Sequence, residues 1–158
     1  MLYRSTRHEL QSRLARAGFD QDLPRDEGDE AQIQKKDVPP AVLAAFAKAY
    51  PKATVKGYSK ETEKGQVKYE VECMEGTVHR DVTYAADGKL LMVEESVEMK
   101  DVPEVVRQAL AKKYPGAKVE LAEKVMDGKT VAYEFHWTGA NGKEAEAKFD
   151  AQGKQLEP

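Results

Sequence analysis

Apolar residues return at helical spacing in two places along the chain. Val42, Phe46 and Tyr50 stand four residues apart, and so do Val106, Leu110 and Tyr114. That spacing gathers each trio on one helix face, and it predicts helices over 42–50 and 106–114. Upstream of each lies Asp-Val-Pro, at 37–39 and 101–103. Asp37 and Asp101 are read as N-caps with Pro in the first turn, where its missing N–H costs nothing. Pro51 and Pro115 end the helices, because a residue before proline avoids the α region. Neither helix is long enough to persist without packing on something.

Downstream of each helix the period changes to two. Val67, Tyr69 and Val71 alternate with Lys68, Glu70 and Glu72, while Val131, Tyr133, Phe135 and Trp137 alternate with Ala132, Glu134 and His136. Such alternation marks a strand with one covered face. A second strand follows in each place, at 78–84 and 145–149, and runs into a turn, Ala86-Asp87-Gly88-Lys89 or Ala151-Gln152-Gly153-Lys154. Asp-Gly after a strand is a hairpin signal. Residues 55–59 and 119–125 read as the first strand of each set. Residues 90–97 form the last strand of the first set, and only Gln155 to Glu157 remain for the last of the second.

The two sets align without a gap over Asp-Val-Pro, Ala-x-Ala-Lys and Tyr-Pro-x-Ala-x-Val. Residues 37–98 and 101–158 are therefore read as tandem α-β-β-β-β repeats. The expected fold is α+β, an antiparallel sheet covered on one face by two short helices. Units of about 60 residues are marginal alone, which favours a shared core.

Composition narrows the function. The hydrophobic fraction is 41%, the charged fraction 34% and the net charge −3. Nucleic-acid binding asks for a basic excess on one face, so no such partner is expected. No apolar run approaches the roughly 18 residues of a membrane span. The single cysteine, Cys73, excludes an intrachain disulfide and is read as a buried small hydrophobe. Residues 1–30 differ from the rest: a basic stretch with Arg4, Arg7, Arg13 and Arg16 precedes an acidic run from Asp20 to Glu30. They are read as an extension, helical or disordered, and no export signal is found there.

The candidate site residues lie on the predicted sheet. Glu70, Glu72, His79, Asp81, Glu134 and His136 point to the side away from the helices, where they form an acidic face able to meet a basic partner or a cation. His79 and His136 have acidic neighbours, but no His-x-x-x-His or similar ligand spacing occurs, and no metal or cofactor is assigned. Tyr58 and Trp137 are candidates for an interface rim, since Tyr and Trp are frequent anchors at binding surfaces. No nucleophile–base set, phosphate loop or Cys-x-x-Cys pair is found, so no catalytic residue is assigned.

The helix ending in Tyr50-Pro51-Lys52-Ala53-Thr54-Val55, repeated as Tyr114-Pro115-Gly116-Ala117-Lys118-Val119, the strand Tyr69-Glu70-Val71-Glu72 and the turn Asp87-Gly88-Lys89-Leu90 resemble the PepSY-like, beta-lactamase-inhibitor-protein-like domains of bacterial envelope proteins. The resemblance covers residues 37 to 158. It implies a periplasmic or secreted, non-catalytic module that binds or inhibits another protein. The alternative from the residues is a protein that holds a small ligand or divalent cation on the acidic sheet face.

Overall fold

A computed structural model describes residues 29–157, so the predicted extension over residues 1–30 lies almost wholly outside it. Nine antiparallel strands follow one another in chain order across a single sheet. They are β1 (Asp29–Ile33), β2 (Thr54–Glu63), β3 (Gln66–Glu75), β4 (Val78–Ala85), β5 (Leu90–Ser96), β6 (Val119–Asp127), β7 (Thr130–Thr138), β8 (Glu144–Asp150) and β9 (Gln155–Leu156). The helices are α1 (Pro40–Ala49) before β2 and α2 (Glu104–Lys113) before β6. Each is thus followed by four strands.

Both helices bury the face that their four-residue spacing marks out. Val42 and Val106 are fully buried, and Phe46 and Leu110 nearly so. α1 lies against β4 and α2 against β8. Two apolar clusters result. Val42, Phe46, Val71, Val82 and Tyr84 centre the first, and Val106, Leu110, Phe135, Trp137 and Phe149 the second. Fully burying such side chains contributes about 1.5–3 kcal/mol each, which is how ten-residue helices that would not persist alone are held. The last strand, β9, is two residues long, and Gln155 Nε2 donates to Tyr114 Oη at 2.8 Å, tying it to the end of α2.

The capping differs from the sequence expectation. Pro39 and Pro103 occupy the N-cap positions, and Asp37 and Asp101 close short 3-10 turns one step earlier (Lys35–Asp37 and Met99–Asp101). Asp37 Oδ2 accepts from the Gln34 N–H at 3.2 Å rather than from the helix. The carboxylates are too far upstream because Val and Pro stand between them and the first helical N–H groups.

Two further features were not expected. β1 adds an edge strand, pairing Ile33 with Tyr58 and Glu30 with Glu61. β2 and β6 are each bulged near their start, between Val55 and Gly57 and between Val119 and Leu121. A bulge adds one residue and so reverses which face the following side chains take. The shared core favoured by the sequence is accompanied by pairing of β5 with β6, from Met92–Asp127 to Ser96–Glu123, so the sheet runs unbroken through both halves.

Candidate functional site

The helices cover one face of the sheet. The other carries polar side chains, as alternation requires, yet its centre is not solvated in the way a half-exposed sheet would be. Asp81, Glu94, Glu123 and Glu134 are all buried, as are Ser59 and Thr83. Register explains the crowding. Glu72 stands opposite Asp81, Asp81 opposite Glu94, and Glu123 opposite Glu134. Side chains directly opposite on adjacent strands lie about 4.5–5.5 Å apart at Cβ, so carboxylates on consecutive strands shield one another from water.

Two histidines interleave with these acids. His79 Nε2 lies 3.1 Å from Glu72 Oε1 and 3.8 Å from Asp81 Oδ1, and the His79 N–H donates to Ser96 Oγ at 2.9 Å. His136 Nε2 lies 3.0 Å from Glu134 Oε1 and 3.6 Å from Glu123 Oε2, with Glu146 Oε2 3.8 Å from Nδ1. Lys148 Nζ approaches Glu134 Oε2 at 3.5 Å. Glu123 sits between the two histidines. Single ligand atoms of His79, Asp81 and Glu123 lie within 4.8 Å of one another, and so do those of Glu123, Glu134 and His136.

The electrostatics follow from burial. Removing ions from water costs several kcal/mol each unless partners neutralise them. Asp81 is pushed up to about 7, first by its own burial and then by Glu123, Glu72 and Glu94, against the pull of His79. Burial alone would lower His136, but the adjoining Glu123 and Glu134 carboxylates outweigh it and hold the imidazole at about 9. His79 is raised in the same way, with burial opposed by its bond to Glu72 and by Asp81.

Sharing Glu72, His79, Asp81 and Glu94 with this cluster, a groove of about 290 Å³ runs over β1 to β5. Glu30, Glu61, Glu63 and Glu70 line it together with Glu72, Asp81 and Glu94. Lys68 and His79 are the basic residues in its lining, and Lys68 Nζ is 2.8 Å from Glu63 Oε2.

Of the residues predicted from sequence, the structure brings Glu72, His79 and Asp81 together and, through Glu123, joins them to Glu134 and His136. Glu70 lines the groove. Tyr58 and Trp137 fall on the opposite face. Tyr58 packs beside the first core cluster, and Trp137 is buried 5.0 Å from the Tyr114 ring. Cys73 is also on that side, fully buried, its thiol pushed up to about 11 by desolvation. That removes it from reach of either imidazole in the cluster. Glu123 and Glu94 were missed. In the sequence Glu123 reads as one of a row with Val119, Leu121 and Val125, and only the bulge after Val119 separates the valine, in the core, from the glutamate on the open face. A carboxylate interrupting an apolar row was the available signal.

The sequence profile of the beta-lactamase-inhibitor-like, PepSY-like family matches residues 25–68 and 67–157. The chain belongs to this family. The two matched segments accord with a tandem arrangement, although they do not meet at the boundary between residues 98 and 101. Among solved structures, a BLIP-like protein from Bacteroides fragilis is 22% identical with a TM-score of 0.59, covering 76% of this chain and 84% of that one. A DUF2874 family protein from Bacteroides uniformis is 22% identical with a TM-score of 0.64, covering 76% and 87%. A Bacteroides eggerthii protein described provisionally as periplasmic is 19% identical with a TM-score of 0.64, covering 76% and 86%. At these identities the likeness concerns the fold. No curated protein matches the chain. Among the described residues no helix is long and apolar enough to cross a membrane.

Proposed function

We propose that this PepSY-like chain is a periplasmic binding module, an inhibitor or regulator of another envelope or secreted protein, which takes a basic segment of that partner into the groove over β1 to β5. The observation that carries the reading is the lining of the groove, where carboxylates from five adjacent strands outnumber the basic groups. An acidic concavity speeds encounter with a basic partner and rejects acidic ones. The periplasmic setting draws support from the eggerthii relative, and the binding role from the BLIP-like one.

The test compares wild type with a Glu61→Lys, Glu63→Lys, Glu70→Lys variant in capture from an envelope extract, with chelator present, at low and high salt. The reading expects one partner retained by wild type at low salt, released at high salt and lost from the variant. Equal capture by both proteins would place the partner elsewhere and overturn it.

A further inference from the structure

The centre of the open face asks for a ligand of a different kind. Glu123 is 1% exposed, and neither of its carboxylate oxygens has a hydrogen-bond partner. His136 Nε2, aimed at the same point, is also buried without a properly aligned partner, although it lies 3.0 Å from Glu134 Oε1 and 3.6 Å from Glu123 Oε2. Buried polar atoms in native proteins are ordinarily satisfied, and exceptions call for an ion, a water or a functional role. Here the three unsatisfied atoms belong to two residues that share one triangle of ligand atoms with Glu134, and Glu123 also closes a second triangle with His79 and Asp81.

We propose that Glu123, Glu134 and His136 hold a divalent transition-metal ion of the zinc class, with His79 and Asp81 placed as further ligands across Glu123. Imidazole together with carboxylates suits Zn²⁺ and its neighbours, whose bonds to N and O are about 2.0–2.2 Å. Ligand atoms already within 4.8 Å of one another need only rotamer adjustments to close on such an ion. Ca²⁺ takes about 6–8 oxygen ligands at longer range, and a triangle closed by a ring nitrogen fits it poorly. The ligands come from neighbouring strands rather than from a loop, so the sheet itself presets their spacing. His79 is already engaged by Glu72 at 3.1 Å, which makes the His136 triangle the primary one. This site goes beyond the partner groove, which is read out with chelator present and stands or falls separately.

The test is calorimetric titration of the metal-stripped full chain with Zn²⁺ and, separately, Ca²⁺. Wild type is expected to bind Zn²⁺ and to bind Ca²⁺ far more weakly. Glu123→Gln and His136→Ala are each expected to weaken Zn²⁺ by more than about 100-fold, beyond the range for loss of outer-shell partners, and His79→Ala by less than either. Circular dichroism checks that the variants fold. Nitrogen-15 spectra of wild type give a readout independent of any variant: Zn²⁺ should shift the ring signals of His136. Ca²⁺ binding as tight as Zn²⁺, unchanged affinity in a folded His136→Ala, or ring shifts confined to His8 would each overturn the proposal.

Discussion

His136 shows how one side chain records its surroundings. It faces Glu123 on β6, Glu134 on its own strand and Glu146 on β8, and Lys148 stands beside Glu134. Its folded value of about 9 lies above the ordinary 6.5. A group raised on folding contributes stability that is complete below its unfolded value and is lost as pH rises through the folded one. In chelator, the melting temperature of wild type should therefore exceed that of His136→Gln most at about pH 6, and the gap should close between about pH 7 and 10. A gap independent of pH would mean that the imidazole acts through packing alone. Asp81 works in the same direction. Its folded value of about 7 lies above the ordinary 3.8, so its ionisation costs stability as pH rises through that range.

Among the elements, the turns after β4 and β8 do more than reverse the chain. Gly88 adopts φ +84° and Gly153 φ +83°, and each turn touches the first turns of a helix. A Cβ at Gly88 would meet the Ala41 carbonyl oxygen at 2.6 Å, and one at Gly153 the Val105 carbonyl oxygen at 2.9 Å. Those obstacles are backbone and cannot swing aside. The left-handed conformation adds about 1–2 kcal/mol for a residue with a Cβ. Gly88→Ala should accordingly destabilise by about 2 kcal/mol or more and lower the melting temperature by at least about 4 °C for a chain of this size. A change within about 1 °C would show that α1 shifts freely over the turn. The Gly-Lys turn was legible in the sequence, but its close approach to the helix was not, because the two are brought together from distant parts of the chain.

For the molecule as a whole, the pairing of β5 with β6 makes one sheet from two sets of elements. Met126 of β6 packs beside the first apolar cluster, so the second half contributes to the first half's core. Cutting the chain after residue 98 would leave β5 as an unpaired edge, which invites association, and a core too small to be independently stable. The full chain should unfold in one cooperative transition, whereas residues 29–98 alone should be unfolded or self-associated by sedimentation and circular dichroism. A monomeric, folded 29–98 fragment with the melting temperature of the whole would refute this coupling.

The periodicities at Val42, Phe46 and Tyr50, the alternation at Val67 to Val71, and the Gly-Lys turns were sufficient for the helices, the main strands and the helix-covered face. Each of those is a local consequence of side-chain spacing and backbone preference, which neighbours in the chain set between themselves. The open face was legible as acidic, with Glu72, His79, Asp81, Glu134 and His136 on it. Its buried centre was not. Glu123 reaches that centre through a bulge after Val119 and through pairing with strands on either side. Burial of Asp81 and Glu134 likewise depends on what stands across from them. Register and desolvation are properties of strands brought together, and no spacing within one strand encodes them.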